Sequence, residues 1–176
     1  MPTYISILRG INVGGQKKIK MEELKALYEA LGFKNIITYI QSGNVIFESS
    51  ETNIQKLTDK IENRIKASLG IDVIVFVKTK NDIQKLLSKN PFSKQEINSL
   101  YVTFLSDIPH EIPIDEIKKA KDSAEKFFIV DKEVFLFCPN GYGRTKLSNN
   151  FFEKKLKLSA TTRNWKTINK LLELVN

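Results

Sequence analysis

Residues 4–47 read YISILRGINVGGQKKIKMEELKALYEALGFKNIITYIQSGNVIF, and their apolar spacing changes character along the stretch. Residues 4–8 form a short apolar run that is typical of a buried strand. In residues 21–31 the apolar side chains recur at the spacing of one helix face, and Gly32 is a typical residue to follow that helix. The stretch therefore predicts a strand, a glycine-containing loop and an amphipathic helix.

Two strands and a further helix are predicted next. The apolar runs 36–40 and 45–47 flank residues 41–44 (QSGN), whose composition favours a tight turn. A helical stripe follows over residues 54–69, and residues 73–77 predict another buried strand. The order strand, helix, strand, strand, helix, strand is that of a ferredoxin-like unit, in which an antiparallel sheet carries two helices on one face.

Local capping signals refine these boundaries. Ser50 is the predicted N-cap of the second helix, and Gly70 is predicted to end it. Thr79 and Asp82 form a capping-box pattern before a third, short helix.

The rest of the chain begins with the same order of elements and then departs from it. We predict a strand at residues 100–105, a helix at 113–120 that starts near Pro113, and a hairpin of two strands at 127–130 and 134–137. Two final helices are predicted at about 150–156 and from Thr161 or Thr162 onward. The sequence thus predicts the α+β class with two related sub-domains, at residues 1–92 and 97–176. One continuous sheet is the alternative.

Composition bounds the chemistry. Cys138 is the single cysteine, so no internal disulfide can form, and no apolar run approaches the roughly 20 residues of a membrane span. Together with the absence of a signal-peptide pattern, this predicts a cytoplasmic protein that does not enter a membrane. His110 is the single histidine, which disfavours a catalytic triad or a histidine-rich metal site, so we predict no metal and no cofactor.

Positive charge is concentrated in two segments. Residues 9–20 carry a net charge of +4 and residues 144–170 a net charge of +7, against +8 for the whole chain. Three of the four arginines, Arg9, Arg144 and Arg163, also lie in these segments, and the guanidinium group suits bidentate contacts with phosphate or carboxylate. The pattern predicts an anionic partner, with a solvated basic surface as the alternative.

Four glycine-, asparagine- or arginine-rich segments are the candidate binding elements: LRGINVGGQKK, TYIQSGNVIF, NGYGRTK and TTRNW. Arg163 is predicted to lie in the first turn of the last helix, where free backbone N–H groups favour anions. The predicted ligand-binding residues are Arg9, Asn12, Gln41, Asn44, Asn140, Tyr142, Arg144, Lys146, Thr162 and Arg163. For the segment with Gln41 and Asn44, a purely turn-forming role is the alternative. For LRGINVGGQKK the alternative is a tight strand-to-helix connection, for NGYGRTK a surface loop, and for TTRNW helix capping alone, with Trp165 in the core.

These segments, in this order and together with NPF at residues 90–92, resemble an uncharacterised bacterial family, domain of unknown function 1697. The resemblance covers nearly the whole chain and implies a two-part α+β fold with ferredoxin-like character. It implies no activity.

Three hypotheses follow. The first is binding of a nucleotide, nucleic acid or other anionic ligand in a cleft lined by the candidate residues. The second is a transferase-like enzyme for an anionic substrate, with Tyr142 or Lys146 near the reaction. The third is a structural or protein-interaction module. The sequence indicates neither a catalytic residue nor an oligomeric state.

Overall fold

The computed structural model describes all 176 residues and has the predicted α+β class. The chain divides into two compact units, one of Met1–Gln84 with Leu171–Asn176 and one of Lys85–Lys170. We call them unit 1 and unit 2. No helix combines the length and the apolar character that a membrane crossing requires.

Unit 1 contains a complete βαββαβ motif followed by the start of a further helix. Its elements are β1 (Thr3–Leu8), α1 (Met21–Ala30), β2 (Lys34–Tyr39), β3 (Asn44–Glu48), α2 (Ile54–Leu69), β4 (Val75–Thr79) and α3 (Lys80–Lys89). The sheet order is β2-β3-β1-β4 and every pairing is antiparallel. The ferredoxin-like prediction is thereby confirmed for this half.

Unit 2 repeats both the element order and the sheet order. Its elements are β5 (Leu100–Leu105), α4 (Ile114–Ala120), β6 (Lys126–Val130), β7 (Glu133–Phe137), α5 (Asn149–Leu156), β8 (Ala160–Asn164) and the first part of α6 (Trp165–Val175), with 3-10 turns at Ile97–Ser99 and Tyr142–Arg144. From Leu171 onward, α6 belongs to unit 1. The antiparallel order β6-β7-β5-β8 corresponds strand for strand to that of unit 1.

Strand β8 corrects one prediction. Thr161 and Thr162, which we expected to cap the last helix, lie in a strand that pairs with β5, and the helix begins at Trp165. The N-cap is instead Asn164, whose Oδ1 accepts the Thr167 N–H at 2.8 Å. Threonine suits both a helix cap and a strand, and here the pairing with β5 decides between them.

Other boundaries move by a few residues. The N-cap of α2 is Asn53 rather than Ser50, since the Asn53 side chain accepts the Lys56 N–H at 3.0 Å. Strand β4 starts at Val75, two residues later than predicted. The capping box of α3 is confirmed, because Thr79 and Asp82 exchange hydrogen bonds of 2.9 and 3.0 Å between side chain and backbone.

The topology decides which loops can meet. Because β1 and β2 both run antiparallel to β3, the segment after β1 and the β2–β3 hairpin lie at the same end of the sheet. In unit 2 the long loop after β7 lies at the end where β5 begins and β8 finishes, as the pairs Leu100–Phe137 and Tyr101–Asn164 require. The candidate segments thus come together in two groups, one in each unit.

Candidate functional site

The segment between β1 and α1 folds into a small hairpin that we call the finger, residues 12–17. The Asn12 N–H donates to the Lys17 carbonyl at 3.1 Å, and the Gln16 N–H donates to the Val13 carbonyl at 3.0 Å. Gly14 and Gly15 form the exposed tip with φ of 59° and 74°. Two consecutive residues with positive φ match the turn that closes a two-residue hairpin, which glycine adopts without strain.

The Asn12 side chain holds the base of the finger in place through three hydrogen bonds. Its Oδ1 accepts the Ile19 N–H at 2.8 Å, while its Nδ2 donates to the Ile19 carbonyl at 2.9 Å and to the Gln41 carbonyl at 2.8 Å. Both N–H groups of the amide are therefore committed to backbone carbonyls. Asn12, a predicted ligand-binding residue, positions the finger against the β2–β3 hairpin.

The β2–β3 hairpin approaches the same region closely. A Cβ placed on Gly43, which has φ of 86°, would lie 2.6 Å from Ile11 Cδ1, so only glycine fits there. Asn44 is fully buried and its Nδ2 donates to the Tyr39 carbonyl and to Ser42 Oγ, both at 3.1 Å. Gln41 is exposed beside the finger. Of the two predicted binding residues in this hairpin, Gln41 is accessible and Asn44 holds the turn.

An open groove of about 540 Å³ lies beside the finger. It is lined by Asn12, Gly15, Lys18, Ile19, Lys20, Glu23 and Gln41. Lys17 does not line the groove, and its Nζ donates to the Asp72 carbonyl at 2.8 Å. The half-buried Arg9 continues β1 toward the finger, and its N–H donates to the Ile74 carbonyl at 2.9 Å. Of the predicted set, Asn12 and Gln41 line the groove, and Arg9 is not among its lining residues.

In unit 2, Tyr142 anchors the loop after β7. Its hydroxyl lies 3.1 Å from Asn149 Oδ1 and 3.1 Å from Thr162 Oγ1, and it accepts the Asn149 N–H at 2.7 Å. Thr162 Oγ1 is also 2.7 Å from Thr103 Oγ1, so the hydroxyl groups form a chain. Burial raises the pKa of Tyr142, which keeps the phenol neutral. Tyr142 and Thr162 thus belong to one hydrogen-bond network that ties the loop to the sheet.

The other candidates of this loop point elsewhere. Asn140 donates from Nδ2 to Asp122 Oδ2 at 3.2 Å. Arg144 and Lys146 are exposed, with Arg144 at the end of the 3-10 turn. They are accessible basic groups at the surface of unit 2.

Arg163 does not lie at a helix N-terminus, contrary to our prediction. It is 7% exposed, sits in β8 opposite Val102, and donates from Nη1 to Thr161 Oγ1 at 3.1 Å and to the Thr162 carbonyl at 3.0 Å. Burial lowers the pKa of Arg163 to about 10, so it remains a cation at neutral pH. The structure places this guanidinium inside the protein.

Cys138 is a buried core residue that directly follows strand β7. It packs with Val134 and Leu136 of β7. Burial, with a smaller contribution from the nearby Glu125 carboxylate, raises the pKa of the Cys138 thiol to about 12. The thiol is therefore protonated at neutral pH.

The finger itself was not predicted. The sequence did carry a signal for it, since a Gly-Gly pair between Val13 and Gln16 matches a two-residue hairpin loop. Lys18 and Lys20, which line the groove, belong to the basic segment 9–20 but were not among the predicted binding residues. The role of Ile19 could not be predicted. Ile19 bonds Asn12 through its backbone N–H and carbonyl, which every residue except proline has, so its side chain gives no signal in the sequence.

The fold is a tandem pair of ferredoxin-like units, and comparisons with known proteins agree with that class. The chain belongs to the family described as Protein of unknown function (DUF1697), whose profile matches residues 1–135, so the resemblance inferred from the motifs is confirmed. Its structure is similar to that of the conserved bacterial protein SP0830 from Streptococcus pneumoniae, with a TM-score of 0.76 and 22% identity over 99% of each chain. At that identity the likeness concerns the fold. No curated protein matches the chain.

Proposed function

We propose that the protein binds a phosphate-bearing ligand through the finger and the lysines that follow it, and that this ligand is the backbone of a nucleic acid. One observation carries the proposal. A glycine-tipped hairpin protrudes from a segment, residues 9–20, that holds four basic residues and no acidic residue.

The finger combines two means of binding an anion. The backbone at Gly14 and Gly15 is exposed, and glycine N–H groups at positive φ can approach a phosphate closely. Lys18 and Lys20 line the adjacent groove, and lysine ammonium groups bind phosphates as point charges. Backbone donors and lysines read the phosphate group rather than a base, so we expect binding with little sequence preference.

The finger is held in shape before any ligand arrives. Asn12 closes its base on Ile19, and Gly43 lets the β2–β3 hairpin pack against Ile11. A segment that is already ordered loses little conformational entropy on binding, which favours affinity from few contacts.

The form of the surface favours a polymer over a free nucleotide. Sites for small molecules are usually enclosed and mostly apolar, whereas this groove is open and most of its lining residues are polar. Base stacking on the sheet, as in RNA-binding ferredoxin-like domains, has no exposed platform here. Ile5 and Ile7 of β1 and Val102 and Phe104 of β5 are buried. The loops are the remaining binding elements.

The two other hypotheses have less support. A transferase that uses Tyr142 would need a free hydroxyl, but this one contacts Asn149 and Thr162 and has a raised pKa. A purely structural module accounts for Asn12, Asn44 and Arg163 but leaves the clustering of exposed lysines around the finger without a role.

Fluorescence anisotropy with single- and double-stranded oligonucleotides at several salt concentrations tests the proposal. The logarithm of the affinity should fall linearly with the logarithm of the salt concentration. The double variant Lys18→Gln/Lys20→Gln should reduce that slope by about 2, because each lost phosphate contact lowers it by about 1.

A matched control is available on α2. Lys56 and Lys60 are exposed, and they follow β3, so they lie at the end of unit 1 opposite the finger. Lys56→Gln/Lys60→Gln changes the net charge equally and should leave the slope unchanged. The proposal fails if the two double variants weaken binding equally, or if no oligonucleotide binds at low salt.

A further inference from the structure

Strand β6 forms an unprotected edge of the second sheet. It is the outermost strand in the order β6-β7-β5-β8, and its sequence is KFFIV. An edge strand offers unpaired N–H and C=O groups to other chains, and proteins usually protect it with charges, proline or a bulge. In β6 only Lys126, the first residue, is charged, and the five-residue register with β7 is regular.

In the sheet of unit 1, by contrast, the corresponding edge strand is protected by a β-bulge. Its edge strand β2 has a register irregularity between Lys34 and Ile37, where Asn35 adopts φ of 49°. A bulge of this kind twists the edge and interrupts the row of backbone groups. β6 has no such device, although both strands occupy the same place in their sheets.

Two backbone hydrogen bonds between β5 and β7 fix which backbone groups of β6 face outward. The Leu105 N–H donates to the Lys132 carbonyl and the Cys138 N–H to the Ser99 carbonyl, so the even-numbered residues of β7 bond to β5. Antiparallel strands alternate sides, so Glu133, Phe135 and Phe137 bond to β6 through their partners Val130, Phe128 and Lys126. The N–H and C=O groups of Phe127 and Ile129 therefore point away from the sheet.

We propose that β6 pairs antiparallel with β6 of a second copy of this chain, joining the two four-stranded sheets edge to edge. A twofold axis at Phe128 places Phe127 opposite Ile129 of the other copy, and these are the residues with outward backbone groups. Both such pairs then form, giving four backbone hydrogen bonds. Phe128, which is 45% exposed, lies against Phe128 of the other copy.

This register is favoured over its neighbours. Shifting the pairing by two residues in one direction sets Ile129 opposite Glu125, and in the other direction sets Phe127 opposite Asp131. Only the register centred on Phe128 keeps apolar residues opposite one another in both outward pairs. An aromatic pair across non-hydrogen-bonded positions adds further stabilisation.

The size of the interface sets the expected strength. Five residues of edge strand with one exposed aromatic ring bury well under the roughly 1,000 Å² that a stable interface needs. The dimer is therefore weak, and its population depends on protein concentration.

Sedimentation velocity over a concentration series up to about 1 mM tests the association. Phe128→Lys puts two like charges opposite each other in the dimer, and it should weaken dimerisation about tenfold or more. Ile37→Lys on β2 is the matched control, since Ile37 is 40% exposed on the protected edge. It should leave the association unchanged.

Two further measurements locate the contact. A mixture of the Phe128→Lys and Phe128→Glu proteins should associate where each alone does not, because the twofold axis makes the opposite charges meet. In the unmodified protein, hydrogen exchange at the amides of Phe127 and Ile129 should slow as concentration rises, a readout that needs no variant. A protein that stays monomeric throughout the series, or a dimer that survives Phe128→Lys, overturns the proposal.

Discussion

The side-chain amide of Asn12 brackets the peptide groups of Ile19, accepting its N–H at 2.8 Å and donating to its carbonyl at 2.9 Å. One side chain thereby makes the two hydrogen bonds that a neighbouring strand would make. These side-chain hydrogen bonds continue the finger beyond its own backbone hydrogen bonds, which end at the pairing of Asn12 with Lys17.

Asn12→Asp should destabilise unit 1 by about 2 kcal/mol, because a carboxylate would face two carbonyl oxygens where the amide donates. Asn12→Gly keeps the positive φ accessible and should also lose stability. Asn35→Gly is the control, an exposed asparagine with similar φ, and should stay within about 0.5 kcal/mol. Urea denaturation measures all three, and equal stabilities for the two Asn→Gly variants would contradict the bracketing role.

Gly43→Ala should cost about 3 kcal/mol, because it combines a steric overlap with Ile11 and an unfavourable φ of 86°. Gly70 has φ of 67° but no atom within 4 Å of an added Cβ, so Gly70→Ala isolates the backbone term, about 1–2 kcal/mol. Thermal or chemical denaturation of the two variants measures the difference. If both lose the same stability, the contact between the β2–β3 hairpin and Ile11 is looser than the structure places it.

Tyr142→Phe should cost about 1–2 kcal/mol, because the hydroxyl accepts the Asn149 N–H and contacts Thr162. Tyr101 packs against the same ring at 5.2 Å, yet its hydroxyl only reaches the Asn98 carbonyl at 3.4 Å. Tyr101→Phe should therefore change stability by less than about 0.5 kcal/mol. Denaturation curves decide, and a Tyr142→Phe protein as stable as the unmodified one would leave the hydroxyl available for another role.

Arg163→Met should destabilise the protein by about 3 kcal/mol. The substitution leaves Thr161 Oγ1 and the Thr162 carbonyl, both acceptors of the buried guanidinium, without that donor. Arg144→Met removes an exposed arginine and should stay within about 0.5 kcal/mol. Melting temperatures of the two variants give the comparison. A fully stable Arg163→Met protein would instead favour a ligand-binding role for that residue.

Cys138 should react with alkylating reagents only when the protein unfolds. Its thiol pKa is about 12 in the folded state against 9.0 normally, so the folded protein holds the proton more tightly. Between these pH values the unfolded state binds fewer protons, and stability should therefore fall as pH rises above about 9. Iodoacetamide labelling followed by mass spectrometry, with and without denaturant, measures the exposure. Rapid labelling of the native protein at neutral pH would contradict the burial.

Much of the fold could be predicted because the apolar periodicity and the capping residues indicate the same helices and strands that the structure contains. The αβ order of unit 1, Gly70 at the end of α2 and the Thr79–Asp82 box all follow from local chemistry. Strand β8 could not be predicted in this way. Its residues, ATTRN, include good helix caps and a charged side chain, and only the tertiary pairing with β5 makes them a strand.

The candidate site was predictable in composition and not in geometry. The basic excess and the glycines indicated residues 9–20 as a candidate binding segment, and within this segment residues 12–17 form the finger. The split between Gln41, which is exposed, and Asn44, which is buried, depends on which residues of the turn face the adjoining loop. Arg163 was misplaced for the same reason as β8, since its surroundings are set by residues distant in sequence.

The composition of unit 1 has a consequence for synthesis on the ribosome. Unit 2 is a continuous stretch of chain, whereas unit 1 includes Leu171–Asn176 along with Met1–Gln84. During N-to-C translation the βαββαβ motif of unit 1 is made first, yet the last six residues of unit 1 are made after all of unit 2. Unit 1 is therefore assembled from the two ends of the sequence, and a truncation before Leu171 would remove residues from the unit that contains the N-terminal motif.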